Sequence, residues 1–473
     1  MKNLFTMIDR FFFRRISASG FGLMRIAWAG TALTFLLLQW GDVPFFYSNQ
    51  GIIPPELYDS SFRSDFRFTV FNYIENPQAV FAVYFLTLAA LAATVVGWKT
   101  RLSTTVATVL LFSFHERNLL PLGGGDTVLR NLGFLLMIAP QISAFSLDRV
   151  RRQWRSWEET KTLLPSLTMP IWPWRLLLWQ FIIIYIASGL DKASGMMWWN
   201  GTAVASALHH DHFARWPMPV MDIISAASPV LSYATIVFEF GWLLMLMPRW
   251  IIPGLPQLIR PNAVRRALLF GGVLFHGSIF LLMDVGSFSV AMLAGYLGLL
   301  LDEDFIDLRD WINRKFANRK SEIVVLYDAS CRLCRRSMFV MLLLDNLHRL
   351  KPVNFRDTKL RKEHAPDITL KDLDRSMHIR LPGECIKHKA KSKKGDSFMH
   401  FAFCFQTLNG FDAFRALAWH LPTLWLIAPF LYVPGIPPLG RIAYARIAAS
   451  RNRCADGFCE HEKNWLPRLD SNQ

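Results

Sequence analysis

Two cysteines stand two residues apart in VVLYDASCRLCRRSM, Cys331 and Cys334, and this is the spacing in the chain that most directly implies chemistry. A C-x-x-C pair at the start of a helix cycles between dithiol and disulfide. The apolar run EIVVLYD before it reads as a strand, and CRRSMFVMLLLDNL after it has helical periodicity. The partial positive charge of a helix N-terminus favours a thiolate. Arg332, Arg335 and Arg336 add positive charge, so the Cys331 thiol is expected below its usual pKa of ~8.5, with Cys331 as nucleophile and Cys334 as resolving thiol. Arg332 and Arg335 are candidates for substrate binding beside it. Asp328 is placed either to shuttle a proton or to cap the helix. The competing reading of the pair is half of a zinc site, completed by Cys454, Cys459 and His461 of CADGFCEH. The strand–turn–helix context and the lack of a second C-x-x-C favour the redox reading. Cys385 and Cys404 are the remaining cysteines, so all six lie in the last third of the chain.

A second group of polar residues lies in or beside apolar segments: Glu116, Arg117, Asp126, Arg130, Lys192, Glu239 and His276. Charges inside a membrane are costly unless paired, and they often mark sites. Glu239 and His276 are therefore candidate substrate-binding residues. The alternative is a buried structural network, pairing Glu116 or Asp126 with Arg117 or Arg130, and a hydrogen-bonded core histidine at 276. HHDH at 209–212 reads as a polar interfacial cap or as a metal site. GGGD at 123–126 is no phosphate loop, because no Lys-Ser/Thr follows it.

The elements that must position these residues follow from composition. The chain has 473 residues, 52% hydrophobic, 19% charged, mean hydropathy +0.24 and net charge +16. Apolar and basic together indicate a membrane protein with basic flanks and argue against nucleic acid as a partner. Segments near 21–40, 79–98, 102–120, 127–146, 171–190, 229–247, 264–283 and 286–302 approach the roughly 20 residues a bilayer requires. The expected fold is thus a polytopic α-helical membrane protein with about eight transmembrane helices and a C-terminal thioredoxin-like α/β domain. Its divisions are 1–303 (transmembrane), 304–321 (charged linker) and 322–473 (dithiol domain). Residues 196–226, rich in Trp and His, suggest an interfacial or re-entrant helix. Lys and Arg concentrate in loops 99–101, 148–170 and 248–263, which places both termini in the cytoplasm of an inner or plasma membrane. The partners implied are the lipid bilayer and a thiol- or disulfide-bearing protein or small-molecule thiol.

LYDASCRLCRRSM resembles the D-x-x-C-x-x-C signature of the DCC family of thiol–disulfide oxidoreductases, and GFDAFRALAWHLPTLWLIAPFLYVPGIPPLGRIAYARIAASRNR is similar to that family's C-terminal half. The resemblance covers about 322–461, is interrupted by the basic insert PGECIKHKAKSKKGDSFMHFAFCFQ, and implies that 421–440 is no ninth span. No proline directly precedes the MHIRL strand, where thioredoxins place one. In the first part, HERNLLPLGGGDTVLRNLGFLLMIAP, YIASGLDKASGMMWWNGTAV and LFHGSIFLLMDVGSFSVAMLAGYLGLLL resemble the HTTM family, the membrane domain shared with vitamin K-dependent γ-carboxylase, over about 15–303. That resemblance implies a quinone as cofactor and Lys192 as the base that acts on it; the alternative for Lys192 is a lysine snorkelling to headgroups. The carboxylase's catalytic histidine has no counterpart in RNLLPLGGGD. Three functions follow: a membrane-anchored thiol–disulfide oxidoreductase coupled to a quinone or lipid reaction, a carboxylase- or epoxidase-like modifying enzyme, and a scaffold or transporter with a zinc-stabilised tail.

Overall fold

The computed structural model describes residues 2–54, 56–58, 68–74, 76–246, 261–316, 322–382 and 405–449. Cys385, Cys404, Cys454, Cys459 and His461 lie outside these, and with them the second half of the expected zinc site and most of the basic insert. The chain divides into two compact units, Met1–Asp304 and Phe305–Gln473.

The first unit is helical. Its main helices are α1 (Ser19–Leu38), α2 (Pro77–Val96), α3 (Thr100–Arg117), α4 (Gly124–Ile138), α5 (Trp172–Ser194), α6 (Ser228–Gly241), α7 (Pro261–Leu282) and α8 (Phe288–Gly298). Local signals set their ends. Asn76 caps α2 by accepting the Gln78 N–H at 2.8 Å, with Pro77 in the first turn, and Gly97 closes it at φ +69°. A short antiparallel pair, β1 (Arg15–Ser17) with β2 (Thr168–Pro170), ties the start of α1 to the start of α5.

Among the described residues five helices are long and apolar enough to cross a membrane: Ser19–Leu38, Pro77–Val96, Trp172–Ser194, Ser228–Leu246 and Asn262–Leu282. On them Leu38, Phe85, Ile183, Val237 and Phe270 are exposed, an apolar surface suited to lipid and not to water. These features support membrane association of the first unit. The other three expected spans are helices that fall short. α4 has 15 residues and α8 has 11. α3 has 18 but ends in His115, Glu116 and Arg117, all buried. The 196–226 segment forms three short helices, Met196–Trp199, Ala203–Leu208 and Met218–Ser225.

Close approach governs the interior of this unit. A Cβ on Gly20 would lie 2.8 Å from the Leu300 carbonyl, and one on Gly298 would lie 2.5 Å from Leu177 and 2.6 Å from Met24. Small residues let helix backbones meet at this distance. Buried Arg25 on α1 donates to the Thr94 carbonyl at 2.6 Å and to the Ala144 and Phe145 carbonyls at 3.1 and 3.0 Å. It thereby satisfies the C-terminal end of α2 and the turn before the helix Leu147–Thr160.

The second unit contains a four-stranded sheet of β3 (Ile323–Tyr327), β4 (Leu350–Asn354), β5 (His378–Pro382) and β6 (Phe405–Asn409), in the order β4-β3-β5-β6. β3 is buried throughout, as a central strand covered on both faces should be. It runs parallel to β4, with Tyr327 opposite Asn354, and antiparallel to β5. A parallel neighbour requires a crossover, and α9 (Arg332–Leu344) supplies it. α10 (Gly410–His420) and α11 (Ile436–Ala449) follow the sheet. The apolar stretch 421–440 is broken by tight turns at Pro422–Leu424 and Ala428–Tyr432. The charged segment after the first unit is helical over Asp302–Phe316.

Replacing Arg25 by Met keeps the volume but removes the side-chain donor to three carbonyls. Of these, Thr94 keeps the Gly97 N–H and Phe145 is partly exposed, so the loss is roughly the 1–3 kcal/mol of one buried group left unsatisfied. The expected outcome is a clear drop in the thermal unfolding midpoint of the detergent-solubilised protein, with helix content retained below it.

Candidate functional site

The dithiol lies in the turn between β3 and α9, at the carboxyl ends of two parallel strands. Open α/β sheets place their sites at such ends. Cys331 is the N-cap of α9: its sulfur accepts the Cys334 N–H at 3.4 Å. The two cysteines are thiols, not joined in a disulfide. Hydrogen bonds from the Cys334 thiol and from the Cys334 and Leu333 N–H groups pull the Cys331 pKa down to about 6, against burial and the Asp328 charge, which push it up. The direction agrees with the expectation from sequence, but the cause is hydrogen bonding and not the arginines. Arg335 turns back to donate to the Ala329 carbonyl at 3.3 Å and so braces the turn. Arg332 is partly buried and Arg336 exposed on the first turn of α9.

Burial separates the two sulfurs. Cys331 is 3% exposed, whereas Cys334 is partly open and lines a cavity of about 270 Å³. The other walls include Leu333, Phe355, Met377, Phe414, Tyr444 and Ile447. The Tyr444 hydroxyl accepts the Met377 N–H at 2.8 Å, fixing α11 to the loop before β5.

Asp328 is not the helix cap. Its carboxylate accepts the Ser330 N–H at 2.9 Å and the Ser330 hydroxyl at 2.5 Å, and it pairs with Arg356 at 2.7 and 3.2 Å. Burial pushes its pKa up, but the Arg356 and Ser330 hydrogen bonds outweigh this and hold it below the usual carboxylate range. Asp328 is therefore a standing negative charge at neutral pH. Arg356, which also reaches Asp374 at 2.5 Å, was not singled out from sequence. The signal was available in principle. Asp328 directly follows β3 and Arg356 follows β4 by two residues, and the parallel register brings those positions together. Asn354 locks the two turns to each other by accepting the Ala329 and Arg356 N–H groups at 3.2 Å each.

The polar residues of the first unit form two arrangements. Ser188 and Lys192 share one face of α5, and Lys192 Nζ donates to Glu239 Oε1 at 3.0 Å and to Ser188 Oγ at 2.5 Å. Lys192 thus turns inward to a buried carboxylate instead of snorkelling. It also lies 5.3 Å from the Trp198 ring. Glu239 Oε2 and His276 Nδ1 are buried without a hydrogen-bond partner. His276 Nε2 shares a 2.7 Å hydrogen bond with the Tyr185 hydroxyl, which bonds in turn to the Tyr296 hydroxyl. The rings of Tyr185 and Trp242 stack at 4.8 Å. Elsewhere Glu116 pairs with Arg130, while Arg117 donates to the Ser48 and Ile53 carbonyls, as a structural network would. In HHDH, His209 bonds to Asp222 at 2.7 Å and His210 and His212 pack on Phe213. Among the described residues no group of three or more His, Cys, Asp or Glu side chains is arranged to hold a metal.

Residues 325–456 match the DCC1-like thiol-disulfide oxidoreductase family. The C-terminal region therefore holds a domain of that type, and the match spans the dithiol turn, the described sheet and α11. The chain is also 22% identical to the sporulation-delaying protein SdpB of Bacillus subtilis (strain 168) over 257 residues, which covers 54% of this chain and 73% of that relative. No solved structure matches.

Two measurements check this site. Thiolate absorbance of the reduced protein should titrate with a midpoint near pH 6. The signal should be lost in Cys331→Ser and shifted upward in Cys334→Ala, which removes the thiol donor. Because the folded state favours the thiolate, the stability this group contributes is fully present above its unfolded pKa of 9.0 and is lost as pH falls through about 6. Arg356→Met strands the Asp328 carboxylate. Since the Arg356 side chain is 36% exposed, solvent screening keeps the loss near the low end of about 1–3 kcal/mol. Adding Asp328→Asn to that variant should recover most of the unfolding midpoint.

Proposed function

We propose that this chain is a membrane-anchored thiol–disulfide oxidoreductase whose Cys331–Cys334 pair exchanges with a thiol- or disulfide-bearing partner. One observation carries the proposal. A cysteine held near pKa 6 by the amide and thiol of its C-x-x-C partner lies at a strand–helix turn, within the region that matches an oxidoreductase family. At neutral pH most of that thiol is thiolate, the form that reacts with disulfides. The mixed sheet, with β3 parallel to one neighbour and antiparallel to the other, supports a thioredoxin-like architecture for this domain. The apolar helices of the first unit supply the anchor. The Lys and Arg bias of the loops favours a cytoplasmic tail, where cellular reductants keep such a pair reduced and a catalytic role suits it better than a structural one. Arg332 remains available beside the pair for a substrate, while Arg335 is committed to the turn. A quinone partner for the first unit rests on the HTTM resemblance alone, and Lys192 there is paired with Glu239.

The test uses the full chain in detergent, supplied with a dithiol donor and a peptide disulfide. Wild-type protein should accelerate reduction of the peptide, and Cys331→Ser and Cys334→Ser should each fall to the uncatalysed rate. A chain with Cys385, Cys404, Cys454 and Cys459 all replaced by Ser should keep the activity. Stoichiometric zinc that disappears in Cys331→Ser, without any exchange activity in the wild type, would instead support a zinc-stabilised tail.

A further inference from the structure

The two sulfurs differ in a way that the usual order of attack does not accommodate. Cys331, the helix cap, is 3% exposed, with the Cys334 N–H on its sulfur. Cys334, one turn on, forms part of the wall of the 270 Å³ cavity. A group arriving from outside through that cavity meets Cys334 first. We propose that the substrate sulfur bonds to Cys334 and not to Cys331, and that the cavity beside it selects a thiol or disulfide carrying an apolar group. The inference rests on the dithiol reading above and specifies its order and its substrate class.

The chemistry balances without a further reagent. In the reducing direction the Cys334 thiol passes its proton through the neighbouring Cys331 thiolate to solvent and attacks a substrate disulfide R–S–S–R′. R′S⁻ leaves and takes a proton from solvent, and Cys334–S–S–R remains. The Cys331 thiolate then attacks Cys334 Sγ, the bond to the substrate sulfur breaks, and RS⁻ leaves and is protonated. Two electrons have passed from the dithiol to the substrate, and Cys331–Cys334 is now a disulfide. In the oxidising direction a substrate thiolate attacks Cys334 Sγ and Cys331 leaves. A thiol of low pKa is the better leaving group, and Cys331 is that thiol. Access and leaving ability therefore favour the same route, and Cys331 is the internal resolving thiol.

The cavity fixes the class of substrate. It is larger than the ~150 Å³ apolar cavity that holds a benzene ring and near the ~300 Å³ lower end of ligand pockets. Its described walls are mainly Leu, Phe, Met, Tyr and Ile side chains, with Ser337 and Ser376, and among the described residues none is Lys, Arg or His. Asp328, the charged residue among the described walls, is already paired with Arg356. An anionic thiol such as glutathione meets a carboxylate there and no cation. A thiol or cysteine flanked by an aromatic or branched aliphatic group can fill the space and displace water from apolar walls.

The test uses the full chain in detergent with Cys385, Cys404, Cys454 and Cys459 replaced by Ser, prepared also with Cys331→Ser or Cys334→Ser. Each is reacted with two activated mixed disulfides, one of benzyl thiol and one of glutathione, and adducts are located by mass spectrometry. The expected result is an adduct on Cys334 in the Cys331→Ser chain that forms at least about tenfold faster than the adduct on Cys331 in the Cys334→Ser chain, with the benzyl probe preferred. Ala448→Phe, which narrows the cavity, should slow the benzyl probe more than the glutathione probe and so remove the benzyl preference. A faster adduct on Cys331, or equal rates for the two probes, overturns the inference. If the parent chain still exchanges with peptide disulfides, the dithiol reading survives that result; if it exchanges with none, both fail.

Discussion

A negative charge buried beside a sulfur that must itself become negative is the constraint around which the second unit is arranged. Asp328 opposes the Cys331 thiolate, and the fold tolerates it because Arg356 is delivered to it from the end of the neighbouring parallel strand. That delivery depends on the register of β3 with β4, which depends on α9 making the crossover, and α9 begins at Cys331 itself. The reactive residue, the helix that carries it and the cation that neutralises its surroundings thus belong to one strand–helix–strand piece. The thiolate is then stabilised at short range, by the amides and thiol of its own turn, in place of a surrounding field of arginines.

The first unit applies the same rule in an apolar setting, where a polar group must find its partner inside the protein. Arg25 is spent on three carbonyls, Arg130 on Glu116, Arg117 on carbonyls of a preceding loop and Lys192 on Glu239. Partnering of this kind accounts for most of the charges in the apolar segments, so their presence is not by itself a sign of catalysis. Glu239 and His276 each retain a buried atom without a hydrogen-bond partner, as Arg25 and Arg117 also do, and His276 is bonded to Tyr185, whose ring stacks on Trp242.

Sequence was most informative where local physics decides the outcome. Asn76-Pro77 and Gly97 mark both ends of α2, and EIVVLYD followed by C-x-x-C marks the strand, turn and helix of the dithiol. It was less informative where tertiary pairing decides. β4 and β6 did not stand out: LKPVN carries a lysine and a proline, which a strand can hold only at the margin of a sheet, and β4 is an edge. Of the eight expected spans, five are met by membrane-length apolar helices among the described residues. α8 is apolar but has 11 residues, and α4 has 15 and carries Asp126 and Arg130, charges and flanks that hydropathy averaged over a window absorbs. Arg356 was invisible for a related reason: an arginine in a loop acquires meaning only when the strand before it is placed beside β3.

The order of these pieces along the chain has a consequence for biosynthesis. The dithiol turn and its cation span residues 323–356, whereas the cavity walls Phe414, Tyr444 and Ile447 come from α10 and α11, translated later. At ribosomal speeds of about 5–20 residues per second, the reactive turn has several seconds in which it can form before its apolar wall exists. During that interval Cys334 lacks the walls that α10 and α11 supply. Completion of α11 is then the step that closes the cavity beside the dithiol turn.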